Sequence, residues 1–75
     1  MNRETPDLHF AAYVMTLGHT LVAPRREGKR VIFCFTMEAD VWAQLLSDWA
    51  NRTGMVIAFE YAEALRALKS LVHAV

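Results

Sequence analysis

Residues 19–36 read His19-Thr20-Leu21-Val22-Ala23-Pro24-Arg25-Arg26-Glu27-Gly28-Lys29-Arg30-Val31-Ile32-Phe33-Cys34-Phe35-Thr36, and this stretch decides the fold class. Its two ends, 19–24 and 30–36, are rich in β-branched and aromatic residues, and the polar interval between them holds the glycine a turn needs. The stretch predicts a β-hairpin connected by Arg25-Arg26-Glu27-Gly28-Lys29. In its second strand Val31, Phe33 and Phe35 alternate to one face, and Ile32 and Cys34 to the other. A strand apolar on both faces is normally covered on both. A lone hairpin is only marginally stable in water. This one therefore requires a further strand, a helical layer or a partner hairpin.

On the N-terminal side the sequence predicts a helix over 6–17. Thr5 is the expected cap, Pro6 suits the first turn, Asp7 meets the positive end of the dipole, and Gly18 stops the helix. Leu8, Ala11, Ala12 and Met15 form one apolar stripe, and Phe10, Val14 and Leu17 form a second. Only His9, Tyr13 and Thr16 remain for water. A helix apolar on most of its circumference is buried on most of it.

On the C-terminal side Thr36 is the expected cap of a second helix, with Glu38 and Asp40 in its first turn. Val41, Trp42, Leu45, Leu46 and Trp49 give it a broad apolar stripe, and Gly54 is its expected stop. Met55–Ala58 reads as a short third strand. The last helix is expected from Phe59 to His73, with Tyr61, Leu65, Leu68 and Val72 as its stripe, widened by Ala64, Leu71 and Val75. Glu60 and Glu63 stand early in it, and Arg66, Lys69 and His73 late, which suits the helix dipole at both ends. The expected architecture is α+β: helix, hairpin and two helices, with a small single-layer sheet packed on helices. Residues 1–75 form one domain, with residues 1–4 as a flexible N-terminus.

Composition narrows the function. Of 75 residues 55% are hydrophobic, and eight basic side chains balance eight acidic ones. Disordered tails need low hydrophobicity and high net charge, so that class is excluded. An evenly balanced chain also disfavours a surface coated in positive charge for nucleic acid. The single cysteine excludes an internal disulfide framework and a cysteine-only zinc site. No apolar run approaches the ~20 residues that span a bilayer, and Met-Asn-Arg-Glu-Thr-Pro-Asp lacks the features of a signal peptide. A soluble cytoplasmic protein without membrane contact is expected.

Several motifs stand together in an order found elsewhere. They are Asp7-Leu8 with Ala11-Ala12, Leu17-Gly18-His19-Thr20-Leu21, Arg30-Val31-Ile32-Phe33-Cys34-Phe35, Trp49-Ala50-Asn51, and Tyr61 with Ala64-Leu65-Arg66-Ala67-Leu68-Lys69-Ser70. Spread over most of residues 5–73, they resemble a small family of uncharacterised α+β domains from bacteria, archaea and their viruses. After Trp49 this chain departs from the tight Asn-Gly turn of that pattern, with Ala50-Asn51-Arg52-Thr53-Gly54. The resemblance implies a fold and no activity, so it supplies no catalytic residues.

The residues themselves offer little chemistry. A nucleophilic cysteine needs a lowered pKa and access to solvent. Cys34 sits between two phenylalanines and reads as a buried core thiol. His9 and His19 flank the first helix roughly 15 Å apart, and His73 suits a helix C-terminus. No pair has metal-ligand spacing. Glu60 with Glu63, and Glu38 with Asp40, read as solvated helix starts. The three glycines, at 18, 28 and 54, form no phosphate loop. No catalytic, cofactor-binding or metal-binding residue is expected, and the chain is not read as an enzyme.

Two features do point to partners. Arg25, Arg26, Lys29 and Arg30 with Glu27 place +3 in six residues, against −4 for residues 36–64. The basic tip reads either as a phosphate-gripping element of a nucleic-acid-binding module, or as a solvated turn that keeps a sheet edge from aggregating. Trp42 and Trp49 read as core, as interface anchors, or as both. A domain of this size encloses little interior, while the apolar helix, the two-faced strand and the tryptophans all ask for cover. The expectation is a symmetric homodimer whose contact uses Phe10, Tyr13, Val14, Leu17, Ile32, Trp42 and Trp49. The expected role is a non-enzymatic interaction module that binds a further protein, an accessory of a phage or mobile element.

Overall fold

The most apolar strand lies in the middle of the sheet. In the computed structural model, which describes residues 1–75, the elements are β1 (Asn2–Thr5), α1 (Leu8–Thr16), β2 (Leu21–Glu27), β3 (Arg30–Thr36), α2 (Ala39–Ala50) and α3 (Ala58–Ala74). The sheet has the order β1-β3-β2 and is antiparallel throughout. The α+β class expected from the sequence is the observed one. No helix is long and apolar enough to cross a membrane.

The third strand comes from the opposite end of the chain to the one expected. Residues 1–4, expected to be flexible, contribute most of β1, whose register runs from Asn2 opposite Thr36 to Thr5 opposite Phe33. Met55–Ala58, expected as a strand, has no strand partner; α3 begins at Ala58. β1 takes the edge of β3 left free by the hairpin, which makes β3 the central strand. Thr5 is consequently a strand residue, and the cap of α1 is Asp7, whose Oδ1 accepts from the His9 and Phe10 amides at 3.0 and 3.1 Å. The Thr5 hydroxyl accepts from the Asp7 amide and so supports that cap. Thr36 likewise belongs to β3, where its hydroxyl donates to Asn2 Oδ1, and Glu38 starts α2 instead.

β2 begins and ends later than expected, so Arg25 and Arg26 are strand residues and only Gly28-Lys29 forms the turn. Gly28 has φ +65°, a conformation that disfavours any Cβ. Between Val22 and Arg25 the register slips, and Ala23 (φ +41°) with Pro24 oppose the single residue Phe33. This is a β-bulge on an edge strand. Proline is tolerated there, and the bulge turns the edge away from intermolecular pairing.

The core lies between the sheet and the helices. Val31, Phe33 and Phe35 meet Phe10, Ala11, Ala12, Tyr13 and Val14 of α1, Leu45 of α2 and Leu68 of α3 in one cluster. Five consecutive residues of α1 are buried, so α1 is a central helix within its own chain. Phe10 is the hub of the aromatic packing, with ring centroids 5.2 Å from Trp42 and 5.9 Å from Trp49. The Cα radius of gyration is 11.8 Å. That is close to the ~11 Å expected of a compact chain of this length.

Candidate interaction surface

Direct pairing in the sheet sorts its side chains into two faces, since opposed residues point the same way. Val31, Phe33 and Phe35 share the helix-covered face with Thr5, Leu21 and Arg26. Ile32 and Cys34 share the other face with Glu4, Val22 and Arg25. Ile32 and Cys34 are nevertheless only 6% and 5% exposed, although they lie outside the helix-packed cluster. An ion pair spans the strand that carries them. Arg25 on β2 donates to both oxygens of Glu4 on β1, at 2.6 and 3.1 Å, and a third bond at 3.0 Å ties it to Glu27. The hydrogen bond from Arg25, with its nearby positive charge, holds the Glu4 carboxyl below its ordinary pKa. The two carboxylates raise that of Arg25. The outer face, expected to need a second layer, is closed by a polar strap.

The basic hairpin is thereby half occupied. Arg25 carries the strap. Arg26 reaches toward the helices, donating to the carbonyl oxygens of Val72 at 2.7 Å and Val75 at 2.9 Å, and so caps the negative end of α3. Only Lys29 and Arg30, of the four cations, make no side-chain bond. Two phosphate contacts supply little salt-dependent affinity for a nucleic acid.

The residues expected to meet a second copy are mostly inside the chain. Phe10, Tyr13, Val14 and Ile32 are buried, Trp42 and Trp49 are half-buried against the core, and only Leu17 is exposed. The physical reason is that α2 and α3 cover the α1 circumference that the sequence left unassigned. Tyr13 is closed in by Trp49, at 5.2 Å between ring centroids, and by the backbone at Gly54. Burial, with the Asp48 carboxylate nearby, pushes its phenol pKa up. Burial also raises the Tyr61 phenol, with Asp7 adding to the effect; its hydroxyl donates to the His9 carbonyl and joins α3 to α1.

Cys34 is buried, as expected of a core thiol. His9 and His73 are exposed and His19 is half-buried. No three of the histidines, cysteine and carboxylates converge on a point. The two surface depressions are open to solvent, one lined by Asp48, Trp49, Arg52 and Gly54, the other by Asp40, Val41, Gln44 and Leu45.

The apolar surface lies elsewhere, in the end of the connector from α2 to α3 and the first turn of α3. Met55, Ile57 and Phe59 are 87%, 63% and 72% exposed, whereas Val56 between the first two is half-buried against the core. Ile57 has extended dihedrals. The amides of Asn51, Arg52, Thr53 and Gly54 are bonded back to the last turn of α2, but from Met55 to Ile57 only the Ile57 carbonyl is bonded, accepting from the Tyr61 amide at the start of α3. The sequence marked this segment through its strand-like composition, yet it pairs with neither outer edge of the sheet, whose strands run β1-β3-β2. No protein-family model matches the chain, and comparison with curated proteins and with solved structures finds no match.

Proposed function

We propose that this protein is a non-enzymatic interaction module that works as a cytoplasmic homodimer, with the segment Met55–Phe59, where the connector enters α3, as its contact surface. The observation that carries the reading is the exposure of three large apolar side chains in five residues, in a chain whose other large apolar residues are mostly packed. Burying a side chain of this kind contributes roughly 1.5–3 kcal/mol. Six of them across a two-fold axis offset an association cost of about 4–15 kcal/mol. The same exposure disfavours an isolated existence, because contiguous apolar surface on a soluble chain marks an interaction site. Service as a phage or mobile-element accessory protein, acting on a further protein, belongs to this proposal through the family resemblance.

The test is sedimentation equilibrium at micromolar concentration. A dimer that the Ile57→Asp and Phe59→Asp substitutions dissociate, with helical content unchanged, supports the reading. A wild-type chain that sediments as a monomer of 8.5 kDa overturns it.

A further inference from the structure

The connector carries information about how a second copy is seated, and this inference rests on the self-association proposed above. The Val56 amide and carbonyl make no hydrogen bond within the chain, and neither do the Met55 amide and carbonyl or the Ile57 amide. An extended apolar segment with unpaired backbone groups accepts another strand most readily, because strand addition satisfies those groups while burying the side chains. The segment is also flanked by opposite charges. Arg52 precedes it and Glu60 follows it; both are exposed, and neither takes part in any ion pair of the chain.

We infer that two copies pair their connectors antiparallel across a two-fold axis that passes beside Val56. Three features select this arrangement. Antiparallel self-pairing about Val56 places Met55 opposite the partner's Ile57, and Ile57 opposite the partner's Met55, so the two exposed side chains of each copy cover those of the other. The Val56 amide of each copy donates to the Val56 carbonyl of the other, which satisfies groups that have no partner within the chain. The antiparallel sense also turns Arg52, in the turn before the segment, toward the end at which the partner's Glu60 stands in the first turn of α3, and the symmetry repeats that attraction. A parallel arrangement sets Arg52 beside Arg52 and Glu60 beside Glu60, so charge complementarity favours the antiparallel one. The occupant of this surface is therefore a second copy of the chain, held in one register.

The experiment is a charge exchange read by sedimentation equilibrium on the full chain. Arg52→Glu alone and Glu60→Arg alone each place like charges at both ends of the pair, and each is expected to weaken the dimer about tenfold. The double variant R52E/E60R restores the attraction with signs reversed and is expected to return affinity to near wild type. Circular dichroism confirms that the variants are folded. Only Val56 faces itself in this register, so Val56→Cys in a Cys34→Ala background is expected to form a covalent dimer under mild oxidation. A dimer that Ile57→Asp dissociates, but in which the double variant shows no rescue and Val56→Cys forms no cross-link, overturns the register and leaves the self-association reading standing. A monomeric wild-type chain overturns both.

Discussion

Replacing Gly54 with alanine tests the close approach of its backbone to the Tyr13 ring. A Cβ built there falls 2.3 Å from the Tyr13 hydroxyl oxygen, 2.6 Å from Cζ and 2.7 Å from Cε1. All three distances are far below van der Waals contact, so the ring or the connector must move. The Tyr13 ring is 3% exposed and lies against Trp49 and Phe10, which leaves it no open direction. Overpacking of this kind costs typically 1–3 kcal/mol. In a chain of this length that lowers the melting midpoint by about 4–8 °C per kcal/mol. Gly54 does not occupy the left-handed region; after α2 that role falls to Arg52, at φ +59°. The cost is therefore steric and belongs to the ring. Thermal denaturation of Gly54→Ala in the wild-type and Tyr13→Leu backgrounds separates the causes. Leucine lacks the three clashing atoms, so in that background the alanine is expected to be neutral or mildly stabilising through the unfolded state. An equal loss in both backgrounds refutes the close-approach reasoning.

Four further outcomes follow from the same geometry. Asp7→Ala removes the acceptor of two amides at the start of α1 and is expected to cost about 0.5–2 kcal/mol by urea denaturation. Arg26→Ala frees the last carbonyls of α3 and is expected to cost about 0.3–1 kcal/mol, with faster amide exchange confined to the final turn. The strap across the outer sheet face gives a pH dependence. The folded chain holds the Glu4 carboxyl below its ordinary value of 4.5, so the unfolded chain takes up the proton first. This stabilisation is complete above pH 4.5 and is lost as pH falls through the lower, folded value. Thiol-reagent labelling of Cys34 is expected to accelerate for Glu4→Gln at neutral pH, because losing the charge and one acceptor oxygen weakens the bond that holds Arg25 across that thiol.

Most of the fold was legible in the sequence because periodicity reports burial directly. The stripe of α3, the breadth of apolar residues on α1 and the run Val31–Phe35 each placed their element in the core where it is found. β1 was hidden because Asn2-Arg3-Glu4-Thr5 is an edge strand with one buried residue, so it has no apolar alternation to read. The connector misled for the converse reason. Met55-Val56-Ile57 has strand composition, yet whether a strand forms depends on which segments the fold brings alongside a sheet edge, which is a property of the whole chain. The expected interface failed through the same non-locality. Phe10, Tyr13 and Val14 look like surplus apolar surface until the ends of the chain fold back over α1. No pattern in the hairpin indicated that Arg25 would close the outer face over Ile32 and Cys34. That contact joins residues 21 positions apart, and each is unremarkable alone.

The central claim is that the chain shields its own first helix and offers Met55–Phe59 to a second copy. An NMR dilution series on the wild-type protein addresses both halves at once. The account predicts concentration-dependent shifts at Met55, Val56, Ile57 and Phe59, with Phe10, Tyr13 and Val14 unchanged. Shifts centred on those three α1 residues, or spectra that do not change with concentration, contradict it.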